Sequence, residues 1–244
     1  MASIVITGAS RGIGAATAIA AARLGFDIVV NYKTRAAEAE AVTVACRAIG
    51  VEAQSVAGSV TNAASVRDMF DAAEALSPLH GLVNNAGILE TQSRLADMSP
   101  DRFRRVVEVN VVGTLICASE AVRRLEAQGN GGSIVNVSSA ASRLGSPNEF
   151  VDYASTKGAV DTLTVGLAAE VGPSGIRVNA VRPGLIETDI HADSGEPERV
   201  QRLAPSVPLR RGGQVEEVAE TIVWLLSDAA SYVSGALVDV SGGR

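Results

Sequence analysis

Thr7-Gly8-Ala9-Ser10-Arg11-Gly12-Ile13-Gly14 lies where a short apolar run, Ile4-Val5-Ile6, gives way to an alanine-rich stretch. Helical periodicity in that stretch predicts a helix from Gly12 to about Leu24. A strand that turns through spaced glycines into a helix leaves free backbone N–H groups at the helix N-terminus, where an anion is favoured. The glycines also let the chain turn tightly and approach a pyrophosphate closely. An ordinary glycine-rich turn has the same composition. The placement directly after the first strand and before the first helix is what points to a dinucleotide site.

The same alternation continues outward from that turn. Further β-branched runs occur at Ile28-Val29-Val30, Val51 to Val56, Gly81-Leu82-Val83, Ser133 to Val137, Arg177 to Val181 and Ala236 to Val240. Between them lie helical patterns over Ala36 to Ile49, Ala63 to Leu76, Asp101 to Glu126, Asp152 to Val171 and Val215 to Leu226. Apolar runs that do not alternate are buried on both faces, as in a parallel sheet covered by helices. The expected fold is therefore α/β, a Rossmann-like doubly wound sheet of seven parallel strands with helices on both faces. One dinucleotide-binding catalytic domain is expected over residues 1–244, a length that suits a single core. Pro183 to Gly213, with Pro183, Pro197, Pro205 and Pro208 and weak periodicity, reads as a substrate-binding lid.

Composition narrows the function. With 27 acidic against 21 basic residues the chain carries a net charge of -6, which repels phosphate backbones and anionic lipid. Nucleic-acid and membrane partners are not expected, and a small-molecule partner is. Cys46 and Cys117 form no CxxC pair and no ligand cluster, so neither a disulfide framework nor a metal site is expected. His191, among Glu187, Asp189 and Asp193, matches no ligand spacing. Met1 to Thr7 reads as a strand and not as a leader, which predicts a cytoplasmic protein.

Tyr153-Ala154-Ser155-Thr156-Lys157 falls on a predicted helix, where the i,i+4 spacing puts phenol and ammonium on one face. A neighbouring cation favours the phenolate and would bring Tyr153 towards a useful acid/base range. An isolated pair of this kind is more often a half-buried tyrosine beside a solvated lysine, and spacing alone does not decide.

Together with Thr7 to Gly14, four more motifs occur in order: Asn84-Asn85-Ala86-Gly87, Asn110, Ser138-Ser139 and Pro183-Gly184. On these residues the whole chain resembles the short-chain dehydrogenase/reductase family, in its single-domain type of roughly 250 residues. Its likeness is to bacterial glucose 1-dehydrogenase-like and 3-oxoacyl-carrier-protein-reductase-like oxidoreductases. The resemblance implies that Ser139 bonds the substrate oxygen, with Ser138 as the alternative, and that Tyr153 is the acid or base. It implies that Lys157 holds the nicotinamide ribose and tunes Tyr153, and that Asn110 anchors a water on the proton path. Cofactor contacts would come from Gly8, Ser10, Arg11, Gly12, Ile13, Gly14, Ser59, Val60, Asn85, Ala86, Gly87, Pro183, Gly184, Ile186 and Thr188, as well as Tyr153 and Lys157. Ser59 stands where the family often has an acidic residue facing the adenine.

At the end of the second strand Asn31-Tyr32-Lys33 offers no acidic residue for a ribose 2′-hydroxyl. Arg11 and Lys33 suit a 2′-phosphate, so NADP(H) is expected, with NAD(H) as the alternative. The expected activity is interconversion of a small carbonyl and a secondary alcohol. A non-catalytic NADP-binding regulator, a dehydratase or epimerase, and a 3-oxoacyl-carrier-protein reductase are the competing readings. Glu126 to Gly132 and Glu170 to Gly175, the expected carrier-docking stretches at the active-site mouth, contain no Lys or Arg, though Arg123 and Arg124 lie a turn earlier. Glu149, Glu90 and Thr91 are candidates for the pocket edge, or equally plain loop residues. A homotetramer is expected from the resemblance and from two long helices richer in apolar positions than one sheet face needs.

Overall fold

The seven apolar runs form seven strands in a computed structural model that describes residues 1–189 and 194–244. They are β1 (Ser3–Ile6), β2 (Asp27–Tyr32), β3 (Ala53–Ala57), β4 (Leu79–Asn84), β5 (Gly132–Val137), β6 (Ile176–Pro183) and β7 (Leu237–Val240). All six pairings are parallel, in the order β3-β2-β1-β4-β5-β6-β7. The fold is the α/β, Rossmann-like sheet that the runs predict. Strand order reverses between β1 and β4, so a crevice opens beyond the C-terminal ends of those strands, where ligands bind in open α/β sheets.

Two apolar layers explain why the runs do not alternate. On one face α1 (Gly12–Arg23), α2 (Ala36–Ile49) and the Val215–Leu226 helix cover Ile4, Ile6, Ile28, Val30, Val83 and Val135. On the other face α3 (Ala63–Leu76) and two later helices cover Val5, Val29, Leu82, Ile134 and Val178. Cys46 and Cys117 sit in these layers, and burial pushes their thiols up to about 11 and about 12, so they pack as small apolar groups.

The single helix expected over Asp101 to Glu126 is instead three pieces. α4 (Pro100–Val107) starts at a Ser99 cap whose hydroxyl accepts from the Arg102 N–H, with proline in the first position. A widened i→i+5 turn, Glu108–Gly113, follows, and then α5 (Thr114–Gln128). Asn110 lies in the widened turn, and Gly113 lets it press on Val60: a Cβ there would stand 2.6 Å from Val60 Cγ2. After β5 come the short α6 (Ala141–Leu144) and the long α7 (Val151–Val171).

The segment read as an aperiodic lid carries regular structure: α8 (Arg199–Leu203) and a 3₁₀ turn, Ala204–Ser206. A bridge from Ile186 to Gly213 closes its base. α9 (Val215–Leu226) begins with the Glu217 carboxylate accepting from the Gln214 N–H at 2.8 Å and from Arg211 at 2.6 and 2.7 Å. No helix among the described residues is long and apolar enough to cross a membrane.

Candidate active site

The glycine turn is held by side chains from three strands. Gly8 and Gly12 adopt φ of +61° and +58°, a region open to glycine and strained for other residues. Thr7 Oγ1 accepts from the N–H groups of Asn85 and Ala86, both at 3.0 Å, and Asn85 Nδ2 donates to the carbonyls of Thr7 and Gly8 at 2.9 and 3.0 Å. A Cβ on Gly14 would lie 2.5 Å from that Nδ2 and 2.8 Å from the Gly8 oxygen, so glycine alone lets α1 close on the turn. α1 has no side-chain cap and no acidic residue in its first turn, so its leading N–H groups suit an anion. These features fit a pyrophosphate.

A cavity of about 480 Å³ runs over this turn. Gly8, Ser10, Arg11, Gly12 and Ile13 line one side, Tyr32 and Lys33 the far end, and Ser59, Val60, Asn85, Ala86, Gly87 and Thr188 the rest. Asn31 also lines it, but its side chain is committed elsewhere. Its Oδ1 accepts from the Gly8 N–H at 3.1 Å, and its amide donates to the carbonyls of Val56 and Gly58 at 3.3 and 3.0 Å. Asn31 thus ties the turn to β3. Arg11 pairs with Asp189 at 3.3 Å on the surface. Ser59 bonds Thr61 through the two hydroxyls at 2.9 Å. Thr34 and Arg35 line the same end as Lys33, and the sequence reading missed them. A third basic residue two positions beyond Lys33 was the available signal.

A second cavity, about 500 Å³, shares Ile13, Asn85, Gly87 and Thr188 with the first and holds Ser139, Tyr153 and Lys157 together. Pro183, Gly184 and Ile186 line it from the end of β6. Ser138 and Ser139 have different surroundings. The buried Ser138 hydroxyl donates to the Lys157 carbonyl at 3.2 Å. Ser139 Oγ accepts from the Ala141 N–H at 3.1 Å, which leaves its proton to be donated into the cavity it shares with Tyr153.

Sequence reasoning expected Lys157 to pull Tyr153 towards the phenolate. Here burial instead pushes Tyr153 up to about 12, and the Ser139 hydrogen bond opposes that only in part. Burial likewise pushes Lys157 down to about 8, against the charge of Asp161. Lys157 Nζ lies 5.5 Å from the Tyr153 ring centre and donates to the Val137 carbonyl at 2.7 Å. Asn110 is wholly buried: its Oδ1 accepts from the Ile88 N–H at 2.8 Å, and its Nδ2 donates to the Ile88 carbonyl at 3.0 Å and to Thr156 at 3.2 Å.

The pocket edge differs in part from expectation. Glu149 lines the second cavity, paired with Arg199 at 2.6 Å, whereas Glu90 faces Arg105 at 2.9 Å and Thr91 offers only its carbonyl to Arg102 at 2.5 Å. Leu144, Pro147, Phe150, Arg199 and Arg244 also line it, and no short motif announced them. Glu126 to Gly132 and Glu170 to Gly175 were placed at the active-site mouth. Within the chain they instead precede the N-terminal ends of β5 and β6, at the sheet edge opposite Ser139. Arg123 and Arg124 there are paired with Glu120, and Arg124 also with Glu74. His191 and Asp193 lie outside the described residues, and no three potential metal ligands cluster among the described ones.

A family model described as enoyl-(acyl carrier protein) reductase matches residues 8–244. The chain belongs to the short-chain dehydrogenase/reductase family. It is 50% identical over 247 residues, the whole of both chains, to the uncharacterized oxidoreductase YgfF of Escherichia coli. It is 38% identical to a chloroplastic NADPH-dependent aldehyde reductase-like protein of Arabidopsis thaliana, covering 98% of this chain and 92% of that one. The crystal structure of acetoin dehydrogenase YohF from Salmonella typhimurium superposes with a TM-score of 0.89 at 31% identity, covering 100% and 96% of the two chains. As a short-chain dehydrogenase/reductase the protein is an enzyme acting on CH–OH groups with NAD or NADP as cofactor.

Proposed function

We propose that this enzyme interconverts a small, free carbonyl compound and its secondary alcohol with NADP(H), Tyr153 serving as the acid and base. The observation that carries this reading is the meeting of Ser139, Tyr153 and Lys157 in one cavity that opens into the cavity of the glycine turn. When bound, the reduced cofactor supplies the hydride that reaches the carbonyl carbon. Ser139 and Tyr153 bond the carbonyl oxygen, and the half-buried phenol, protonated at neutral pH, delivers its proton as charge develops there. Lys157 holds the nicotinamide ribose and, as a cation, eases ionisation of Tyr153. Asn110 fixes the Ile88 segment and Thr156 beside Lys157, keeping the proton path in place.

Gly8, Ser10, Gly12 and Ile13 hold the pyrophosphate on the turn against which Gly14 lets α1 close, Ser59 and Val60 the adenine, and Asn85, Ala86 and Gly87 the adenosine side of the cleft. Pro183, Gly184, Ile186 and Thr188 hold the nicotinamide end. Lys33 supplies positive charge where a 2′-phosphate sits, with Arg11 and Arg35, paired on the surface with Asp189 and Glu38, beside it, which supports NADP(H). Tighter binding of NAD(H) than NADP(H), or NADP(H) affinity undiminished in Arg11→Ala/Lys33→Ala, contradicts that preference.

A free substrate is favoured because three arginines near the cavity are already paired with carboxylates. Arg105 faces Glu90, Arg199 faces Glu149, and Arg202 faces Glu196. An acidic carrier protein requires a basic docking patch. The relatives' names, aldehyde reductase-like and acetoin dehydrogenase, also support small carbonyls. The deciding experiment follows NADPH oxidation over aldehydes, hydroxyketones, diketones, sugars and 3-oxoacyl thioesters, free and carrier-bound. Turnover of free carbonyls is expected. A strong preference for the carrier-bound thioester, erased by salt, establishes the 3-oxoacyl-carrier-protein reductase reading instead. We propose a homotetramer as the working assembly, since Val107, Leu115 and Val165 expose apolar surface on α4, α5 and α7.

A further inference from the structure

One buried carboxylate beside the site has no part in this scheme. Asp161 lies on α7 one turn beyond Lys157, and the i,i+4 spacing puts the two side chains on one face. Both residues are buried. From β6, Arg182 donates through Nε and Nη2 to the same oxygen, Asp161 Oδ2, at 3.1 and 2.8 Å. A guanidinium fork and a carboxylate usually pair two N–H groups with two oxygens. Here Oδ1 is left buried with no hydrogen-bond partner.

Such an oxygen is costly in an apolar interior unless a positive charge lies near it. Lys157 is also incompletely matched. Its ammonium donates to the neutral carbonyl of Val137 and lies near the neutral Tyr153 ring, and both it and the neutral Asn110 side chain face Gly87. The charged groups that reach this region are Asp161 itself and Arg182 behind it, then Asp239 4.0 Å from Arg182 and Arg143 3.7 Å from Asp239. Asp161 is the carboxylate that opposes the loss of the Lys157 proton to burial.

We infer that Asp161 is a positioning residue for the reaction: it supplies the buried counter-charge that keeps Lys157 an ammonium beside Tyr153, and Arg182 limits how much of that charge Lys157 receives. The inference rests on the roles proposed above for Tyr153 and Lys157. It distinguishes itself from a purely structural ion pair by sign. Asp161→Asn removes the counter-charge, so Lys157 gives up its proton at lower pH. Arg182→Gln removes a competing cation and leaves the carboxylate to Lys157, which then keeps its proton to higher pH. A structural pair would respond alike to loss of either partner.

Lys33 and Lys157 are the only lysines in the chain, which makes a direct reading possible. Protein labelled with lysine carrying ¹³C at Cε gives two signals by NMR, from exposed Lys33 and buried Lys157, and Lys33→Arg assigns them. The Lys157 midpoint is expected to fall by about one pH unit in Asp161→Asn, to rise in Arg182→Gln, and to return in Asp161→Glu. The alkaline limb of kcat should move with it. An unchanged midpoint in folded Asp161→Asn, or a shift in the same direction in both variants, overturns the inference. Should Asp161→Asn fail to fold, a fall or no change in Arg182→Gln overturns it. The titration is independent of turnover, so an active Tyr153→Phe enzyme would refute the acid/base reading without touching this result.

Discussion

With its phenol pushed up to about 12, Tyr153 keeps its proton at neutral pH and is poised to give it to a carbonyl oxygen. Lys157, held down to about 8, is the group that changes charge first as the medium becomes alkaline. Carbonyl reduction should therefore be level near neutrality and decline above about pH 8, well before the phenol ionises. Alcohol oxidation, which starts from the phenolate, should gain as pH rises from neutrality. Steady-state pH profiles in both directions check this, and a reductive rate undiminished well above pH 8 contradicts it. At this scale the motif residues were legible because each needs only a local spacing. The raised phenol was not, since it depends on burial in the folded cavity and on a lysine turned to Val137, and neither can be read from YxxxK. Asp161 stood at a legible spacing from Lys157, but its meaning lies in Arg182, which reaches it from another strand.

Between elements, the catalytic helix is fixed by a contact that joins distant parts of the chain. Arg102 on α4 forms a fork with Asp152, its Nε 2.6 Å from Oδ2 and its Nη2 3.1 Å from Oδ1, and also donates to the Thr91 carbonyl. Both side chains are buried, and Asp152 precedes Tyr153 in the first turn of α7. Arg102→Met leaves the Asp152 charge unpaired in the interior and should cost about 3–5 kcal/mol of stability, read from urea unfolding. Arg102→Met/Asp152→Leu should regain most of it, and a single variant as stable as the parent contradicts the clamp. The pair was invisible in the sequence because charged residues on an amphipathic helix are ordinarily solvated. The break at Glu108–Gly113 was hidden for a related reason. An i→i+5 turn keeps the chain helical and carries no cap or proline to mark it, so the expected helix ran through it. α8 escaped notice because five residues are too few to establish a period.

For the molecule as a whole, parallel topology was the most legible feature, since apolar runs alternating with helical patterns admit few arrangements. Surface character was less so. The two stretches expected at the active-site mouth sit at the opposite sheet edge, because a loop that leads into a parallel strand lies a full strand length from the loop that leaves it. The exposed apolar side chains of α4, α5 and α7 predict a mass by light scattering four times the 25.0 kDa of the chain, and a monomer at micromolar concentration contradicts the assembly. The proposed activity itself turns on one oxygen atom. Tyr153→Phe removes the phenolic hydroxyl and leaves the ring in place. Single-turnover oxidation of bound NADPH by the best free carbonyl substrate, measured beside NADPH affinity, should show chemistry abolished and binding nearly unchanged. Turnover by Tyr153→Phe at a rate near that of the parent enzyme would contradict Tyr153 as the acid and base.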